Sequence, residues 1–496
     1  MNKFFTGILS LLLFASSEAQ KIYTEKYRPA FHFSPAKNWI NDPNGLIYYA
    51  GEYHMFYQYN PFGDVWGHMH WGHAVSKDLV RWQELPIAIP EEGDLMIFSG
   101  SVVVDYKNTS GFGKGKGEIP MVAIYTGHIE KVSQSQHLAY SLDKGRTWKK
   151  YSGNPVLDVG SKEFRDPKVF WYAPENKWVM SVVLALEKKI QFYQSKNLKQ
   201  WSLLSSFGPV GDTSGIWECP DLFQVPVAGS AGQKKWVLML SPAPYMQYFV
   251  GEFDGTNFKN ENPTSVIYRP DYGPDFYAAI MFNDLPASML PVGIGWINNW
   301  TYANKTPTKP WRGAMSLSRN MQVKKLGDEW ILYQLPMQRY NELQHDGKTW
   351  KNISIKEKWS VPGTETPAFA SEIVIDRNQH KEISIEIAGG ALLLSFNDST
   401  SVFTLKRGGN SAFQNAEFEK RGEYTAKIRD VNNLLKVRIY FDHSIAEVFI
   451  NDGEVAMTAQ VFPKEENLPV IIKSSNNAAI ASVKCWKMHS IWNKKN

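Results

Sequence analysis

The segment SKDLVRWQEL (Ser76 to Leu85) is the first of four segments that share one design: a polar turn, then an aromatic residue, then the polar end of a strand. The other three are SLDKGRTWKKY (Ser141 to Tyr151), SKNLKQWSLL (Ser195 to Leu204) and EFDGTNFKNE (Glu252 to Glu261). Their aromatic residues, Trp82, Trp148, Trp201 and Phe258, are 66, 53 and 57 residues apart. A period of roughly 50 to 70 residues indicates a repeat architecture.

A second set of motifs opens five successive units: NDPNG at Asn41, FSGS at Phe98, RDPK at Arg165, ECPD at Glu218 and DYGPDFYA at Asp271. Short apolar strands follow most of these motifs, and helical periodicity is almost absent from the chain. Five such units predict an all-β fold that begins with a five-bladed β-propeller. Because the first strand of each blade lines the axis, we expect Asp42, Asp166 and Glu218 to face one common space.

The remaining chain divides into further regions. Residues 1–19 resemble a cleavable secretory signal, with Lys3, an apolar run from Phe4 to Phe14, and small residues at Ser17 and Ala19. We predict a propeller over residues 25–336, a linker over 337–347 and a β-sandwich over 348–490, where strands alternate between apolar and polar residues. No later segment is long and apolar enough to predict a membrane span. The signal predicts export, to the periplasm or to the medium.

Composition excludes several classes of protein. The 496 residues are 43% hydrophobic and 21% charged, which is typical of a folded globular protein. A net charge of +5 without a basic cluster argues against nucleic-acid binding. Two cysteines, Cys219 and Cys485, exclude a disulfide framework. The sequence does not decide between a monomer and a dimer.

Three acids at one end of a channel indicate glycoside hydrolysis, which needs two carboxyl groups on either side of the scissile bond. Asp42 lies among amides and turn N–H groups, which favour its ionised form. Glu218 lies between Trp217 and Cys219, an apolar neighbourhood that favours the protonated form. We expect Asp166 to be held ionised by Arg165 and to bind sugar hydroxyls. Any one of these acids alone is more simply explained as a turn residue.

Histidines and aromatic residues near these motifs have two possible roles. His68, His70 and His73 in WGHMHWGH do not have the usual spacing of zinc ligands, so shaping a sugar pocket is the better interpretation. Most aromatic side chains of the chain should belong to blade cores. Six of them lie close to the opening motifs and could wall in a sugar ring: Trp39, Trp66, Trp71, Phe98, Tyr272 and Trp296.

Together, NDPNG, FSGS, FRDPK and WECPD, in that order, resemble glycoside hydrolase family 32, the β-fructosidases that include invertases, inulinases and levanases. The likeness continues through MHWGHAVSKDLVRW, MQYFVGEFDG, DYGPDFYA and GWINNW, and into the sandwich at FDHSIAEVFIN. It is most similar to bacterial levanases and exo-acting fructanases. The loop PAPY after VLMLS is shorter than in many such proteins, and SRN at Ser318 stands where others often have Pro-Arg-Glu.

The resemblance implies a retaining mechanism without metal or cofactor, acting on fructan or sucrose. It implies that Asp42 is the nucleophile, Glu218 the acid and base, and Asp166 the stabiliser of the transition state. A retaining outcome predicts that the carboxyl groups of Asp42 and Glu218 are about 5 to 5.5 Å apart. The family's fructose-binding residues are implied at further positions: Asn41, Gln58, Trp66, Phe98, Ser99, Arg165, Tyr272 and Trp296.

Other functions stay open at this point. An arabinan-cleaving propeller would use an inverting geometry with carboxyl groups roughly 6.5 to 9.5 Å apart. A fructan-binding protein without catalysis would keep the fold, although the three intact acids argue against it. A fructosyltransferase shares the first half of the reaction. The sequence also leaves undecided the preferred substrate among levan, inulin and sucrose, exo or endo action, and the role of the sandwich.

Overall fold

The computed structural model describes residues 23–115, 117–377, 382–429, 432–474 and 478–492. The fold is nearly all β, with five small sheets arranged as propeller blades followed by two six-stranded sheets that form a sandwich. This confirms the predicted fold class. The predicted signal over residues 1–19 lies outside the described residues. Among the residues described, no helix combines the length and apolar character needed to cross a membrane.

Each blade is built from consecutive antiparallel strands, ordered from the axis outward. The first blade contains β1 (Asn38–Tyr49), β2 (Glu52–Asn60), β3 (His70–Ser76) and β4 (Trp82–Ile89). The second contains β5 (Met96–Val104), β6 (Met121–Ile129), β7 (Ser133–Ser141) and β8 (Lys149–Lys150). The third contains β9 (Phe164–Tyr172), β10 (Lys177–Leu184), β11 (Lys189–Ser195) and β12 (Ser202–Phe207). The fourth contains β13 (Trp217–Pro226), β14 (Lys234–Pro242), β15 (Gln247–Phe253) and β16 (Phe258–Asn260).

The fifth blade closes the propeller. It contains β17 (Tyr277–Met281), β18 (Val292–Ile297), β20 (Ala314–Met315), β21 (Arg319–Leu326) and β22 (Glu329–Pro336). The short strand β19 (Trp311–Arg312) leaves this blade and pairs with β1 in parallel. The five innermost strands pack side by side in the order β1, β5, β9, β13 and β17, and β17 returns to β1. The motifs that open the units therefore surround a single axis.

The turn that recurs in the sequence also recurs in the structure, at the outer edge of the blades. Trp82 and Phe258 begin the outermost strands of their blades, and Trp148 and Trp201 immediately precede theirs. In three of the turns a serine hydroxyl contacts an Asp or Asn side chain two residues later, as Ser76 contacts Asp78. This hydrogen bond fixes the turn and directs the aromatic side chain toward the blade, so the spacing of these residues marks the blade edges.

Two six-stranded sheets form the sandwich. The first has the order β23 (Gln344–Ile355), β34 (Ala478–Met488), β25 (Ala368–Asp376), β30 (Leu434–Asp442), β31 (Ile445–Ile450) and β32 (Val455–Gln460). The second has the order β24 (Lys358–Val361), β33 (Val470–Ser474), β26 (Glu382–Ile387), β27 (Leu392–Asn397), β28 (Val402–Arg407) and β29 (Glu423–Lys427). Alternate side chains of both sheets form one apolar core, as expected for a sandwich.

In the part of the chain that the structure describes, helical structure is limited to short segments. One α-helix, α1 (Ala416–Lys420), lies between β28 and β29, and its cap Asn415 accepts from the backbone of Glu417 and Phe418. Short 3₁₀ helices lie at Ala173–Glu175, Ala303–Lys305, Gln338–Leu343, Ala388–Gly390 and Asn451–Gly453. Between the two domains, the predicted linker over residues 337–347 is occupied by the third of these helices and by the first residues of β23.

Candidate active site

The five innermost strands share a β-bulge at the same level of the axis. In each, three steps along the inner strand correspond to two steps along its neighbour, as between Ile40 and Pro43 in β1. The bulged pairs are Asn41 and Asp42, Phe98 and Ser99, Asp166 and Pro167, Cys219 and Pro220, and Ala278 and Ala279. A bulge bends the strand and redirects side chains that regular alternation would send elsewhere. We call these ten residues the bulge ring.

Asp42 lies in the bulge ring and is only 8% exposed. Ser99 donates a hydrogen bond of 2.7 Å to its Oδ2, whereas its buried Oδ1 has no hydrogen-bond partner in the described part of the chain. Burial raises the pKa of Asp42, and the nearby charge of Glu218 raises it further, against the hydrogen bonds of Ser99 and Asn41. The donors around Asp42 favour its ionised form as expected, but desolvation has the larger effect and raises the pKa overall.

Asp166 is the second acid of the bulge ring and has a positive φ of 64°. The backbone N–H of Cys219 donates to its Oδ2 at 2.9 Å, and the Cys219 Sγ lies 3.7 Å from that oxygen and from Oδ2 of Asp42. Burial raises the pKa of Asp166 to about 7, although Arg165 acts in the opposite direction. The prediction that Arg165 holds this acid ionised was wrong, because burial outweighs the effect of Arg165, which approaches the carboxyl group to 3.9 Å.

Glu218 immediately precedes the bulge of β13, and its side chain is 19% exposed. The Tyr277 hydroxyl donates to its Oε2 at 2.5 Å, and the Arg165 guanidinium donates to its Oε1 at 3.1 and 3.2 Å. Arg165 and Tyr277 occupy the equivalent position of β9 and β17, one residue before the bulge. The prediction of an apolar neighbourhood was therefore wrong, because the carboxyl group of Glu218 is hydrogen-bonded to Arg165 and Tyr277.

One residue after the bulges, the axis contains a buried ion pair. The Lys168 Nζ lies 3.1 Å from Oδ2 of Asp221 and also donates to the carbonyl oxygen of Met281. The backbone N–H of Met281 donates to the same Asp221 oxygen. The two charges of this ion pair neutralise each other, so the pair adds no net charge next to the acids. Sequence reasoning did not identify it, although Lys168 and Asp221 stand in the RDPK and ECPD motifs.

Of the predicted subsite residues, Ser99, Arg165 and Asn41 interact with the acids, and Gln58 lies on the strand opposite the β1 bulge. Asn41 accepts a 2.7 Å hydrogen bond from the indole of Trp39. Gln58 lies on β2 between the residues that pair with the two ends of the β1 bulge, and its buried Nε2 has no partner among the described residues. Two aromatic residues stand further out. Trp66 is 40% exposed and meets the ring of Phe98 edge to face at 6.1 Å.

The structure places other predicted aromatic residues away from this site. Tyr272 packs against the sandwich core, and its backbone N–H donates to Ala456, so it does not reach the acids. Trp39, Trp71 and Trp296 are completely buried and have no free face for a sugar. Their large apolar surfaces fill the blades.

Two residues that sequence reasoning missed take the places expected for Tyr272 and Trp296. Tyr277, five residues after Tyr272, contacts Glu218. Trp300, four residues after Trp296, is partly exposed and packs 6.5 Å from the Tyr277 ring and 4.8 Å from the Trp296 ring. The motif DYGPDFYA contains a second tyrosine and the run GWINNW a second tryptophan, and these were the available signal.

The histidines of WGHMHWGH separate in space. His73 is buried in the first blade, where it stacks on Phe56 and its Nε2 lies 3.1 Å from the His54 Nδ1. His70 contacts the backbone of His68, which is itself exposed beside Glu91. Within the described ranges, no group of three His, Cys, Asp or Glu side chains could hold a metal ion.

Comparison with known families matches both domains. The model of the glycosyl hydrolases family 32 N-terminal domain matches residues 32–336, and that of the glycosyl hydrolases family 32 C-terminal domain matches residues 338–487. A levanase of Bacillus subtilis is 43% identical and aligns with 98% of this chain and 74% of its own length. An extracellular exo-inulinase of Aspergillus awamori is 36% identical, over 95% of this chain and 96% of its own length.

Solved structures agree with this match. The crystal structure of exo-inulinase from Aspergillus awamori has a TM-score of 0.87 and 35% identity, over 95% of this chain and 100% of that one. A β-fructofuranosidase from Schwanniomyces occidentalis, complexed with fructosyl-erythritol, has a TM-score of 0.85 and 34% identity, over 95% of this chain and 99% of that one.

Proposed function

Because the chain belongs to glycosyl hydrolase family 32 and is a glycosidase, we propose that it releases terminal fructose from β-fructans such as levan and inulin, and from sucrose. The similar proteins named levanase, exo-inulinase and invertase support this substrate class. The observation that carries the proposal is the ring of three carboxyl groups, each held in a different environment at one end of the propeller axis.

The proposed reaction is a double displacement with retention. Asp42 attacks the anomeric carbon of the terminal fructosyl unit and forms a covalent fructosyl-enzyme, while the bond to the leaving oxygen breaks. Two features support this role. Asp42 is deeply buried, and one of its oxygens is held by Ser99 while the other is free to bond to carbon. Water then attacks the same carbon, and Asp42 leaves.

Glu218 is the proposed general acid and then base. It is more exposed than Asp42, so it can face the leaving oxygen at the mouth of the site. Proton donation to that oxygen leaves a carboxylate, which Arg165 and Tyr277 stabilise through their hydrogen bonds. The same carboxylate then accepts a proton from the attacking water.

Asp166 is proposed to bind two hydroxyl groups of the fructosyl ring. Its raised pKa, about 7, means that the site retains a proton near neutral pH. Acids this close titrate together, so the proton belongs to the group of three carboxyl groups rather than to one residue. A shared proton supports the chemistry, because one of the three acids must be protonated when the leaving oxygen departs.

The substrate pocket is proposed to hold one fructosyl unit, which implies exo action. The predicted subsite residues Asn41, Gln58, Ser99 and Arg165 surround the acids, while Trp66, Phe98 and Trp300 stand toward the mouth. The free amide of Gln58 is a donor available to a sugar hydroxyl. Tyr272 and Trp296 have no role in the proposed pocket.

Product analysis tests the proposal. Purified protein is incubated with levan, inulin, sucrose and arabinan, and the soluble products are separated over time. Free fructose as the only early product from levan or inulin is expected, with glucose and fructose from sucrose. A ladder of oligomers would indicate endo action, and cleavage of arabinan alone would refute the fructosidase assignment.

The roles of the acids are tested by chemical rescue. Glu218→Ala should lose activity on levan but recover part of it with azide on a fructoside that has a good leaving group, because azide attacks the covalent intermediate without a general base. Glu163→Ala is the matched control, since Glu163 is also an acid in contact with Arg165 but precedes β9 and is not one of the three acids of the site. Full activity of Glu218→Ala on levan would contradict the assignment.

Export is the proposed location. The signal-like residues 1–19 and the extracellular exo-inulinases among the similar proteins support it. Amino-terminal sequencing of the protein secreted by its host would test the predicted cleavage after Ala19.

A further inference from the structure

A second polar concavity lies on the sandwich, where the domain meets the propeller. Its lining comes from three neighbouring strands, β34, β25 and β30, and from the connection between the domains. No residue of the bulge ring lines it.

The size of this concavity limits what it can hold. Its volume is about 230 Å³. Pockets for drug-sized ligands have volumes of roughly 300 to 1,000 Å³, so this one suits a single small ring rather than a nucleotide or a peptide. We call it the junction pocket and define it by its lining residues: Gln338, Asn341, Gln344, Ala370, Ser371, Glu372, Arg438, Tyr440, Lys484 and Trp486.

Two cross-strand rows form the floor of the junction pocket. One row contains Trp486, Ala370 and Tyr440, which pair directly across β34, β25 and β30. Residues paired in this way project from the same face of a sheet, and neighbouring strands are about 4.8 Å apart. Trp486 and Tyr440 are therefore roughly 10 Å apart, with only the methyl group of Ala370 between them. A sugar ring between these two side chains, with a van der Waals contact of about 4 Å on each side, fits this separation.

The second row contains Lys484, Glu372 and Arg438, two residues further along the same strands. Both cations contact the carboxylate of Glu372, each at 3.0 Å. Glu372 is thereby neutralised, and its pKa is lowered by these partners although burial opposes the shift. A row of paired charges offers donors and acceptors together, which suits neutral hydroxyl groups better than a free anion or cation.

Tyr440 supplies the observation that points to a ligand. Tyr440 is 8% exposed and lines the pocket, and no group among the described residues bonds its hydroxyl. The hydroxyl is not one of the polar atoms closed off from solvent, so it opens into the pocket and can donate to or accept from a ligand. The side chain is fixed by the ring of Phe449, which meets it edge to face at 6.2 Å.

Trp486 is positioned from the other side. A bulge in β23 between His345 and Lys348 brings Gly347 against the indole, and a Cβ at Gly347 would lie 2.8 Å from that ring. Glycine at this position therefore lets the backbone support one side of the Trp486 side chain. The indole remains partly exposed.

We propose that the junction pocket is a non-catalytic binding site for one unit of a neutral saccharide. An aromatic side chain at one end, a free hydroxyl at the other, and amide groups of Gln338, Asn341 and Gln344 around the rim match the apolar faces and hydroxyl groups of a sugar ring. The natural source would be the fructan of the proposed function, on which this part of the inference rests. Binding there would hold the polymer on the enzyme between cleavage events.

Affinity electrophoresis in native gels tests the site, with levan, inulin or dextran cast in the gel. All proteins carry Glu218→Ala so that the polymer stays intact, and two further substitutions are compared. Trp486→Ala removes the aromatic side chain, and Tyr440→Phe removes only the hydroxyl. Trp350→Ala is the matched control, because Trp350 is a partly buried tryptophan of the same domain that packs against the sandwich core.

We expect Trp486→Ala to weaken retardation by levan at least fivefold, Tyr440→Phe to weaken it less, and Trp350→Ala to leave it unchanged. Loss with levan and inulin alone indicates a fructan site, and loss with dextran as well indicates a general saccharide site; both support the inference. Equal retardation of the parent, Trp486→Ala and Tyr440→Phe would overturn it. Circular dichroism and thermal unfolding check that each variant is folded.

Kinetics with the intact acids separates this inference from the proposed function. With Glu218 present, Trp486→Ala should raise KM for levan while kcat/KM for sucrose stays within twofold of the parent. If the parent cleaves neither substrate but Trp486→Ala still loses retardation, the proposed function fails and the pocket stands. If the parent cleaves both and Trp486→Ala behaves like it on levan, the pocket fails and the function stands.

Discussion

Two regions of this protein contain three carboxyl groups each, and they differ in how this negative charge is neutralised. One is the active site, with Asp42, Asp166 and Glu218. The other, which we call the interdomain cluster, joins the propeller to the sandwich and consists of His32, Asp271, Arg319, Asp442 and Glu447. In the interdomain cluster every carboxylate has a cationic partner. In the active site, among the residues described, Arg165 is the one cation paired with the acids, and it pairs with Glu218 and Asp166 but not with Asp42.

The pKa directions follow from this difference. In the interdomain cluster Arg319 and His32 lower the pKa of Glu447 although burial opposes the shift. Hydrogen bonds with Asp442 and Glu447 raise the pKa of His32 to about 9, again against the effect of burial. In the active site burial prevails, and the pKa values of Asp42 and Asp166 rise. Negative charge without a neutralising partner therefore distinguishes the active site from the interdomain cluster, whereas the burial of acids alone does not.

The largest expected effect comes from a substitution that inactivates the active site and leaves the fold intact. Asp42→Asn should lower kcat by about 10⁴-fold or more, because it removes the proposed nucleophile. It should also raise the free energy of unfolding at neutral pH, since it removes a buried charge with an unfavourable environment. Steady-state kinetics on sucrose and denaturant unfolding measure the two effects. Loss of activity together with loss of stability would show that Asp42 is mainly structural.

The opposite result is expected in the interdomain cluster. Arg319→Met removes the cation that bridges Asp271 and Glu447 and leaves buried charge unpaired, so it should lower the free energy of unfolding by about 3 to 5 kcal/mol. The folded fraction should keep its kcat on sucrose. Arg438→Met serves as the control, because the ion pair of Arg438 with Glu372 is partly exposed and should contribute about 1 kcal/mol or less. Equal losses for the two variants would contradict the comparison.

The pH dependence of stability should show the two regions in separate windows. The contribution of His32 to the free energy of unfolding is fully present below pH 6.5. It is lost as the pH rises through about 9, because the pKa of His32 is raised in the folded state. The raised pKa of Asp166 also favours the folded state at low pH, and that stabilisation is lost between about pH 4 and 7.

Two substitutions distinguish these windows in denaturant unfolding at a series of pH values. His32→Gln should remove the alkaline loss, which is on the order of 3 kcal/mol, and leave the acidic one. Asp166→Asn should flatten the curve between about pH 4 and 7 and leave the alkaline loss. A parent protein whose stability does not change between pH 6.5 and 9 would refute the role of His32.

The sequence was sufficient for the blades because their signals are local. The repeated turn before Trp82, Trp148 and Trp201 depends on hydrogen bonds within a few residues, so its spacing alone marked the blade edges. The motifs that open the blades also marked the five inner strands. The interdomain cluster was not predicted, because partners such as Arg319 and Glu447 belong to different domains and the blade repeat does not relate their positions.

The bulge explains which site residues could not be predicted. One extra residue per inner strand changes which neighbours share a direction, so Arg165 contacts Glu218 of the next blade more closely than Asp166 beside it in the chain. The same effect selects Tyr277 rather than Tyr272. Proximity to a motif in sequence could not distinguish the two tyrosines, since only the register of β17 decides which one faces the axis.

The smallest expected effect sharpens the comparison at this tyrosine. Tyr277→Phe removes one hydrogen bond to the Glu218 carboxyl group, which should cost about 1.5 to 3 kcal/mol in the chemical step, or roughly ten- to a hundredfold in kcat. Tyr272→Phe, against the sandwich, is the matched control and should leave kcat unchanged. An unchanged kcat for Tyr277→Phe would mean that Tyr277 only packs beside Trp300, and the polar neighbourhood of Glu218 would then rest on Arg165 alone.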